Sequence, residues 1–289
     1  MANWHYPRGS AAAAPWTTQV GAKTPGWEHT GLKVADLRPG QTANLPPAAR
    51  ERIVLPLSGS FDVTPEGGES LRLPGRASVW AGPSGIVYVG PGQGLAIAGE
   101  GRVAVAEAAA SQPRPPRLLT AGDIPVELRG AGPSSREVRN FGVPGVLEAE
   151  SIIACEVLTP AGNWSSYPPH KHDEELQGRE TSLEEIYYFE LRATQAGQGA
   201  PLGYQRVSAS PGRDIDVLAE VHDGDVVLVP FGWHGPSMAA PGYDMYYLNV
   251  MAGPGRERAW RISDHPDHAW VRRAWAGQPV DPRLPFAES

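Results

Sequence analysis

Apolar residues in this chain fall into short runs and alternations, with no long stripe at helical spacing. In the first half, Arg52-Ile53-Val54-Leu55-Pro56-Leu57, Gly59-Ser60-Phe61-Asp62-Val63 and Ile86-Val87-Tyr88-Val89 read as strands. In the second half the same pattern predicts strands over 152–158, 185–192, 204–208, 226–229 and 245–250, with turns at Asp223-Gly224 and Pro241-Gly242. Pro56 inside an apolar run predicts an edge or a bulge, because proline gives no N–H to a ladder. Ser111-Gln112-Pro113-Arg114-Pro115-Pro116-Arg117 cannot be helical and reads as an extended joint between two strand-rich regions, about 27–106 and 126–271. We therefore expect an all-β chain with lobes at 1–125 and 126–289. The two halves also look like a degenerate repeat: Val226-Val227-Leu228-Val229-Pro230-Phe231-Gly232 resembles Ile86-Val87-Tyr88-Val89-Gly90-Pro91-Gly92, an apolar strand running into a proline-glycine turn.

Composition supports this reading and narrows the function. The chain has 34 glycines and 30 prolines in 289 residues, which suits many short strands joined by turns. That length buries a substantial core without covalent staples. A net charge of −7 with both signs scattered excludes the basic stripe of a nucleic-acid binder. The single cysteine, Cys155, lies in the apolar run 152–155; it rules out an intrachain disulfide and reads as a small buried hydrophobe. The N-terminus lacks a basic segment followed by an apolar core, the run Ala11 to Ala14 is too short for a signal peptide, and no stretch approaches the roughly 18 apolar residues of a membrane span. A soluble cytoplasmic protein is expected.

The chemistry concentrates in the second half. His170 and His172 stand at i and i+2, so on a strand both rings share one face, and Pro168-Pro169 stiffens the approach to them. Glu184 and Glu185 open the next strand on opposite faces; periodicity does not choose between them, and burying either carboxylate requires a partner or a metal. His234 follows the turn Pro230-Phe231-Gly232, while His222, before a turn, reads as a surface residue. His265 and His268 read as part of a polar C-terminal segment, and His5 and His29 fall outside the set. No histidine lies between His29 and His170, so one lobe would carry chemistry and the other would be structural. Three imidazole nitrogens and one carboxylate oxygen make a metal site. Tyr187, Tyr204, Tyr246 and Tyr247 are candidates to present hydroxyls to a sugar, and Arg206 and Arg139 to fork onto a carboxylate. Neither a phosphate-cradling glycine loop nor a Gly-x-Ser-x-Gly elbow occurs.

Histidine-x-histidine, a glutamate at the start of the next strand and a histidine after a Pro-x-Gly turn resemble the metal motifs of cupins, with the stretch 174–182 looping out because Glu185 lies thirteen residues beyond His172. A closer resemblance rests on long strings: Ser135-Arg136-Glu137-Val138-Arg139-Asn140-Phe141, Gly162-Asn163-Trp164-Ser165-Ser166-Tyr167-Pro168-Pro169-His170-Lys171-His172-Asp173, Glu184-Glu185-Ile186-Tyr187-Tyr188, Tyr246-Tyr247-Leu248-Asn249-Val250-Met251-Ala252-Gly253-Pro254 and Asp264-His265-Pro266-Asp267-His268-Ala269-Trp270. These are similar to the 5-deoxy-glucuronate isomerases of inositol catabolism, related to the 4-deoxy-threo-hexosulose-uronate ketol-isomerases. The resemblance is dense from about 129 to 271 and thinner before it. It implies a bicupin, two jelly-roll-type β-barrels in tandem with few short helices. It also implies metal ligands His170, His172, Glu185 and His234, and so picks Glu185 over Glu184.

The implied reaction interconverts 5-deoxy-D-glucuronate and 5-dehydro-2-deoxy-D-gluconate, an aldose–ketose isomerisation without net redox change. It requires a proton moved between adjacent carbons, a stabilised oxygen charge and a grip on the carboxylate. A divalent metal suits the second task; the ligand set fits zinc first, and iron, manganese or nickel as well. Candidates for proton transfer are Lys171, Tyr187 and Tyr246, or a metal-bound water. Arg206 is the first choice for the substrate carboxylate, Arg139 the second, with Tyr204 as a further contact. The rival readings are a metal-dependent cupin dioxygenase, which would consume oxygen, and a non-catalytic sugar-binding cupin. A small uronate is the expected partner, and a homo-oligomer joined through sheet edges is compatible with such a fold.

Overall fold

The computed structural model describes residues 3–286 except 22, 198 and 256. Strands dominate, as the alternation predicts, and the one α-helix among the described residues is the five-residue Trp270–Ala274. Among the described residues the strands make sheets of nine, seven and six. The nine-stranded sheet is built from the first half around one 15-residue strand, Leu95–Ala109. Its start pairs with Thr42–Leu45 and Gly59–Pro65, and its end with Thr30–Leu37 and Arg50–Pro56, so a single bent strand serves both walls of a barrel. Gly101 sits at the bend with φ 121°, where a Cβ would stand 2.2 Å from the Ser58 carbonyl oxygen, so only glycine fits. Pro56 ends the strand Arg50–Pro56, which runs between Ile86–Val89 and Leu95–Ala109. The strand is therefore interior, not an edge; the missing N–H is tolerated because it falls at the strand's last position.

The second half is a sandwich of the other two sheets. The seven-stranded sheet has Glu184–Ala193 and Tyr243–Ala252 near its centre, flanked by Val226–Val229 on one side and Ile153–Thr159, Arg136–Gly142 and Val126–Arg129 on the other. The six-stranded sheet is built around Trp233–Ala239, which pairs with Gly203–Ser210, His170–Lys171 and Trp164–Ser165. One segment crosses the expected lobe limits. His5–Tyr6 pairs with Val226 and Val227, adding the start of the chain to the edge of the second-half sheet. Arg117–Leu119, at the end of the proline-rich joint, stays within the first lobe and pairs with Ile86–Val89.

The lobes meet through the outer face of the seven-stranded sheet. Ile186, Tyr188 and Leu248 pack against Leu32, Ile53 and Tyr88 in one core. Alternation then sends Glu185, Tyr187 and Phe189 into the second barrel, where Tyr187 and Phe189 join a separate core with Cys155 and Tyr247. Two carboxylates clamp the seam reciprocally. Glu184 of the second lobe accepts the N–H groups of Glu28 (3.1 Å), His29 (2.7 Å) and Thr30. Glu51 of the first lobe accepts those of Glu150 (2.9 Å), Ser151 (2.6 Å) and Ile152 (2.6 Å). Each clamp holds the backbone at the start of the other lobe's counterpart strand, Thr30–Leu37 or Ile153–Thr159, so the internal repeat extends to how the halves are joined.

Candidate metal centre

Between the two sheets of the second lobe, four buried side chains converge. His170 and His234 are directly opposite each other in the ladder, and His172 follows on the same face as His170. The imidazole centroids of His234 lie 4.4 Å from those of His170 and 4.6 Å from those of His172. One ligating nitrogen from each of the three rings falls within 4.8 Å of the others. From the facing sheet, Glu185 brings Oε2 to 3.0 Å from His172 Nε2 and 3.1 Å from His234 Nε2. Each ring's Nδ1 faces a backbone carbonyl: Pro168 at 3.3 Å for His170, Leu183 at 2.9 Å for His172, Gly232 at 3.1 Å for His234. Assigned from these contacts, the Nδ1 atoms carry the protons and the Nε2 lone pairs turn inward, the orientation of metal-binding histidines.

Lone pairs facing a carboxylate at this range repel unless positive charge lies between them. His234 Nε2 is buried and makes no hydrogen bond among the described residues. Burial lowers the His170 pKa, with the neighbouring imidazoles His234 and His172 adding to the effect. Burial pushes the Glu185 carboxyl up, but His172 and His234 outweigh it and hold it at about 2. Burial lowers the His172 pKa, but Glu185 outweighs it and raises the value, so this carboxylate and imidazole compete for one proton. A divalent metal takes the place of that proton, and three imidazoles with one carboxylate fit it.

The other face of the histidine strand fixes that geometry. Lys171, alternating with the two histidines, points away from them and donates to Asp173 (2.8 Å), Glu180 (2.8 Å) and Glu174. Glu180 also accepts the N–H groups of Asp173 (2.9 Å) and Glu174 (3.1 Å), pinning the inserted stretch back onto the strand. Asp173 Oδ2 accepts from Ser210 Oγ (2.6 Å) and from the Gly232 N–H (2.9 Å), tying the histidine pair to the turn before His234. Gly235, just past His234, has φ 92°, and a Cβ there would stand 1.8 Å from the Ser166 carbonyl oxygen.

Beside the cluster lies a cavity of about 260 Å³ whose walls include His170, Glu185, Tyr187, Asn249, Ser166 and Arg136. Tyr187 Oη is 3.0 Å from Ser166 Oγ. Burial, followed by the Glu185 charge, raises the phenol pKa well above its ordinary value, so Tyr187 stays protonated. Ser166 has φ 47°, the one non-glycine residue in the left-handed region among those described. Such strain clusters where a site over-determines the backbone.

Several residues singled out from sequence lie elsewhere. Lys171 is committed to three carboxylates and lies outside the cavity wall. Tyr246 faces the lobe seam, donating to Glu156 at 2.8 Å, because strand alternation puts it opposite Tyr247. Arg139 faces the same seam, fully buried, bound to Glu137 (2.7 Å) and to the Val79 and Gly82 carbonyls. Arg206 pairs with Asp216 across an outer hairpin, and Tyr204 donates to Glu220 at 2.8 Å on the same surface. These placements share one cause: residue type alone does not show which face of a strand a side chain occupies. Asn249 and Arg136 line the cavity and were not singled out.

The first lobe carries a different arrangement at the corresponding place. Glu185 sits in register with Val229 and Met251; Arg52 sits in register with Val89 and Glu107. Where the second lobe has a carboxylate facing imidazoles, the first has the Arg52 guanidinium 2.9 Å from Glu107, which also binds Lys33. An internal cation already fills that position.

Two tandem jelly-roll-type barrels, with a three-histidine, one-carboxylate cluster in the second, make this a bicupin. The chain belongs to the KduI/IolB family, which it matches over residues 4–271. It is 40% identical over 258 residues to the 5-deoxy-glucuronate isomerase of Geobacillus kaustophilus, covering 88% of this chain and 89% of that one. The crystal structure of an IolB-like protein from Salmonella typhimurium LT2 superposes with a TM-score of 0.84 at 33% identity, over 93% of this chain and 99% of that one. Lactobacillus farciminis oxalate decarboxylase shares the fold at 12% identity, with a TM-score of 0.63 over 96% of this chain and 97% of that one.

Proposed function

We propose that this chain is a divalent-metal-dependent aldose–ketose isomerase that interconverts 5-deoxy-D-glucuronate and 5-dehydro-2-deoxy-D-gluconate in myo-inositol catabolism. The observation that carries this reading is the convergence of three inward Nε2 atoms and one carboxylate beside a cavity, in a chain 40% identical to an enzyme of that name. His170, His172, Glu185 and His234 would hold the metal, zinc before iron, manganese or nickel. Bound there, a divalent cation supplies Lewis acidity to the carbonyl oxygen and to the oxygen charge of an enediolate.

The chain's own residues do the rest. Of the three proton-transfer candidates, Tyr187 alone stands at the cavity; as a neutral phenol it donates a hydrogen bond to a sugar oxygen, with Ser166 fixing its direction. Asn249 offers a neutral amide to a hydroxyl. Lys171 is a positioning residue that sets the His170 and His172 rings through Asp173 and Glu180. The first lobe (1–125), with Arg52 in the equivalent place, is structural, and the second (126–289) catalytic. A cytoplasmic location follows from that place in sugar catabolism.

The test is anaerobic incubation of metal-loaded protein with 5-deoxy-D-glucuronate in D₂O, followed by proton NMR. Formation of the ketone without oxygen supports the isomerase. Turnover that requires oxygen points to a dioxygenase, and binding without conversion to a sugar-binding cupin.

A further inference from the structure

Strand Arg136–Gly142 sends Arg136 and Val138 into the catalytic cavity and Glu137 and Arg139 to the lobe seam. Arg136 is 6% exposed. Its Nη1 donates to the Ser134 carbonyl oxygen at 2.9 Å, and its guanidinium lies over the Trp275 ring, 5.5 Å from the centroid. No carboxylate pairs with it among the described residues. The other buried guanidiniums differ: Arg52 has Glu107, Arg76 has Glu156 and Arg139 has Glu137. The two further arginines at the cavity are also matched, Arg129 forked by Glu127 (3.0 and 2.7 Å) and Arg272 by Asp264. Burial, with the Arg129 and Arg272 charges adding to it, pulls the Arg136 pKa down to about 10, so it remains a cation near neutrality.

A buried cation left without a counter-ion is costly to keep and marks where an anion is expected to bind. The indole N–H of Trp260, on the wall of the same cavity, is likewise buried without a partner among the described residues. The cavity has His170 and Glu185 on its wall as well, so a short molecule can meet the cluster and Arg136 together. Its volume of about 260 Å³ lies just below the roughly 300–1,000 Å³ of pockets for drug-sized ligands, which suits a six-carbon acid.

We propose that Arg136, with the Trp260 N–H as a second donor, receives the carboxylate of the substrate and sets the preference for a uronate over a neutral sugar. This rests on the isomerase reading for its substrate class, and replaces Arg206 and Arg139 in that role. A guanidinium gives two parallel hydrogen bonds to a carboxylate, a geometry that amide or ammonium replacements do not reproduce.

The test compares wild type, Arg136→Gln and Arg136→Lys, all metal-loaded. The first readout is kcat/KM for the uronate divided by kcat/KM for its analogue with CH₂OH in place of the carboxylate. The second is calorimetric binding of D-gluconate, a six-carbon acid with no carbonyl to isomerise. Arg136→Gln is expected to lower the ratio on the order of 10²-fold, chiefly through KM, and to weaken gluconate similarly, with Arg136→Lys in between. Thermal stability should hold or rise, because an unpaired buried charge is removed; a structural role would lower it. An unchanged ratio, or gluconate bound equally by wild type and Arg136→Gln, overturns the proposal. If wild type fails to turn over the uronate, the isomerase reading fails, while a gluconate difference still supports the carboxylate site.

Discussion

The adjacent glutamates Glu184 and Glu185 give the sharpest perturbation, since strand alternation assigns them opposite tasks. Glu184→Ala removes the acceptor for three backbone N–H groups and for the Thr30 hydroxyl, 2.9 Å away. Thr30 is fully buried, so its N–H is left without a partner, at about 1–3 kcal/mol. Hydrogen bonds to a charged acceptor contribute about 1.5–3 kcal/mol each. The Glu28 and His29 N–H groups are only part-buried and recover water, so their losses count about half. The total is about 2.5–6 kcal/mol, a large share of the roughly 5–15 kcal/mol that holds a domain folded. The assay is urea unfolding of metal-loaded protein, followed by fluorescence and by circular dichroism, with midpoints compared where the two probes coincide. Metal content is measured on the same samples. Glu184→Ala should shift the midpoint and keep its metal, while Glu185→Ala should lose metal. A loss below about 1 kcal/mol, or equal metal loss in both variants, would refute the assignment of the two faces.

Other consequences follow from the same geometry. His172→Ala and His234→Ala should each lower isomerase turnover by at least about 10³-fold and reduce metal per chain, read by rate and elemental analysis; full activity in both variants would remove the metal from the mechanism. Arg206→Ala should leave KM and kcat within about twofold of wild type, because its partner is Asp216 on the outer surface; a large rise in KM would return it to the site. Burial raises the Glu107 pKa, but Lys33 and Arg52 outweigh it and hold the folded value below the ordinary one. Its contribution to stability is thus present above the unfolded glutamate pKa of about 4.3 and is lost as pH falls through the folded value. Glu107→Gln should flatten the acid limb of the melting temperature below about pH 4, and an unchanged limb would assign that loss to other carboxylates.

Much of this was readable in the chain because strand periodicity is two. The strands of the second half and the His170, His172 and His234 positions are marked by alternation and turn residues. The two-residue pairing of His5–Tyr6 is too short to leave a pattern, and its partner is some 220 positions away. Choosing Glu185 over Glu184 needed more than periodicity: both are buried, and the alternative partner of Glu184 is backbone N–H, which no residue type announces. The positions of Arg139, Arg206 and Tyr246 away from the cavity have a different cause. Parity separates Arg136 from Arg139 and Tyr247 from Tyr246, but the sequence does not say which face lines the cavity. For Lys171 the signal was available, since it alternates with the two histidines and has to point away from them.

The most direct test is a stoichiometric one. Protein stripped with a chelator is titrated with zinc, manganese or iron, the last two anaerobically, while isomerisation of 5-deoxy-D-glucuronate is followed. Activity should rise linearly and break at one equivalent per chain for at least one metal, with no such rise in His234→Ala. Full turnover by the stripped protein, or a break at two equivalents with the second ion in the first lobe, would contradict a single metal centre held by His170, His172, Glu185 and His234.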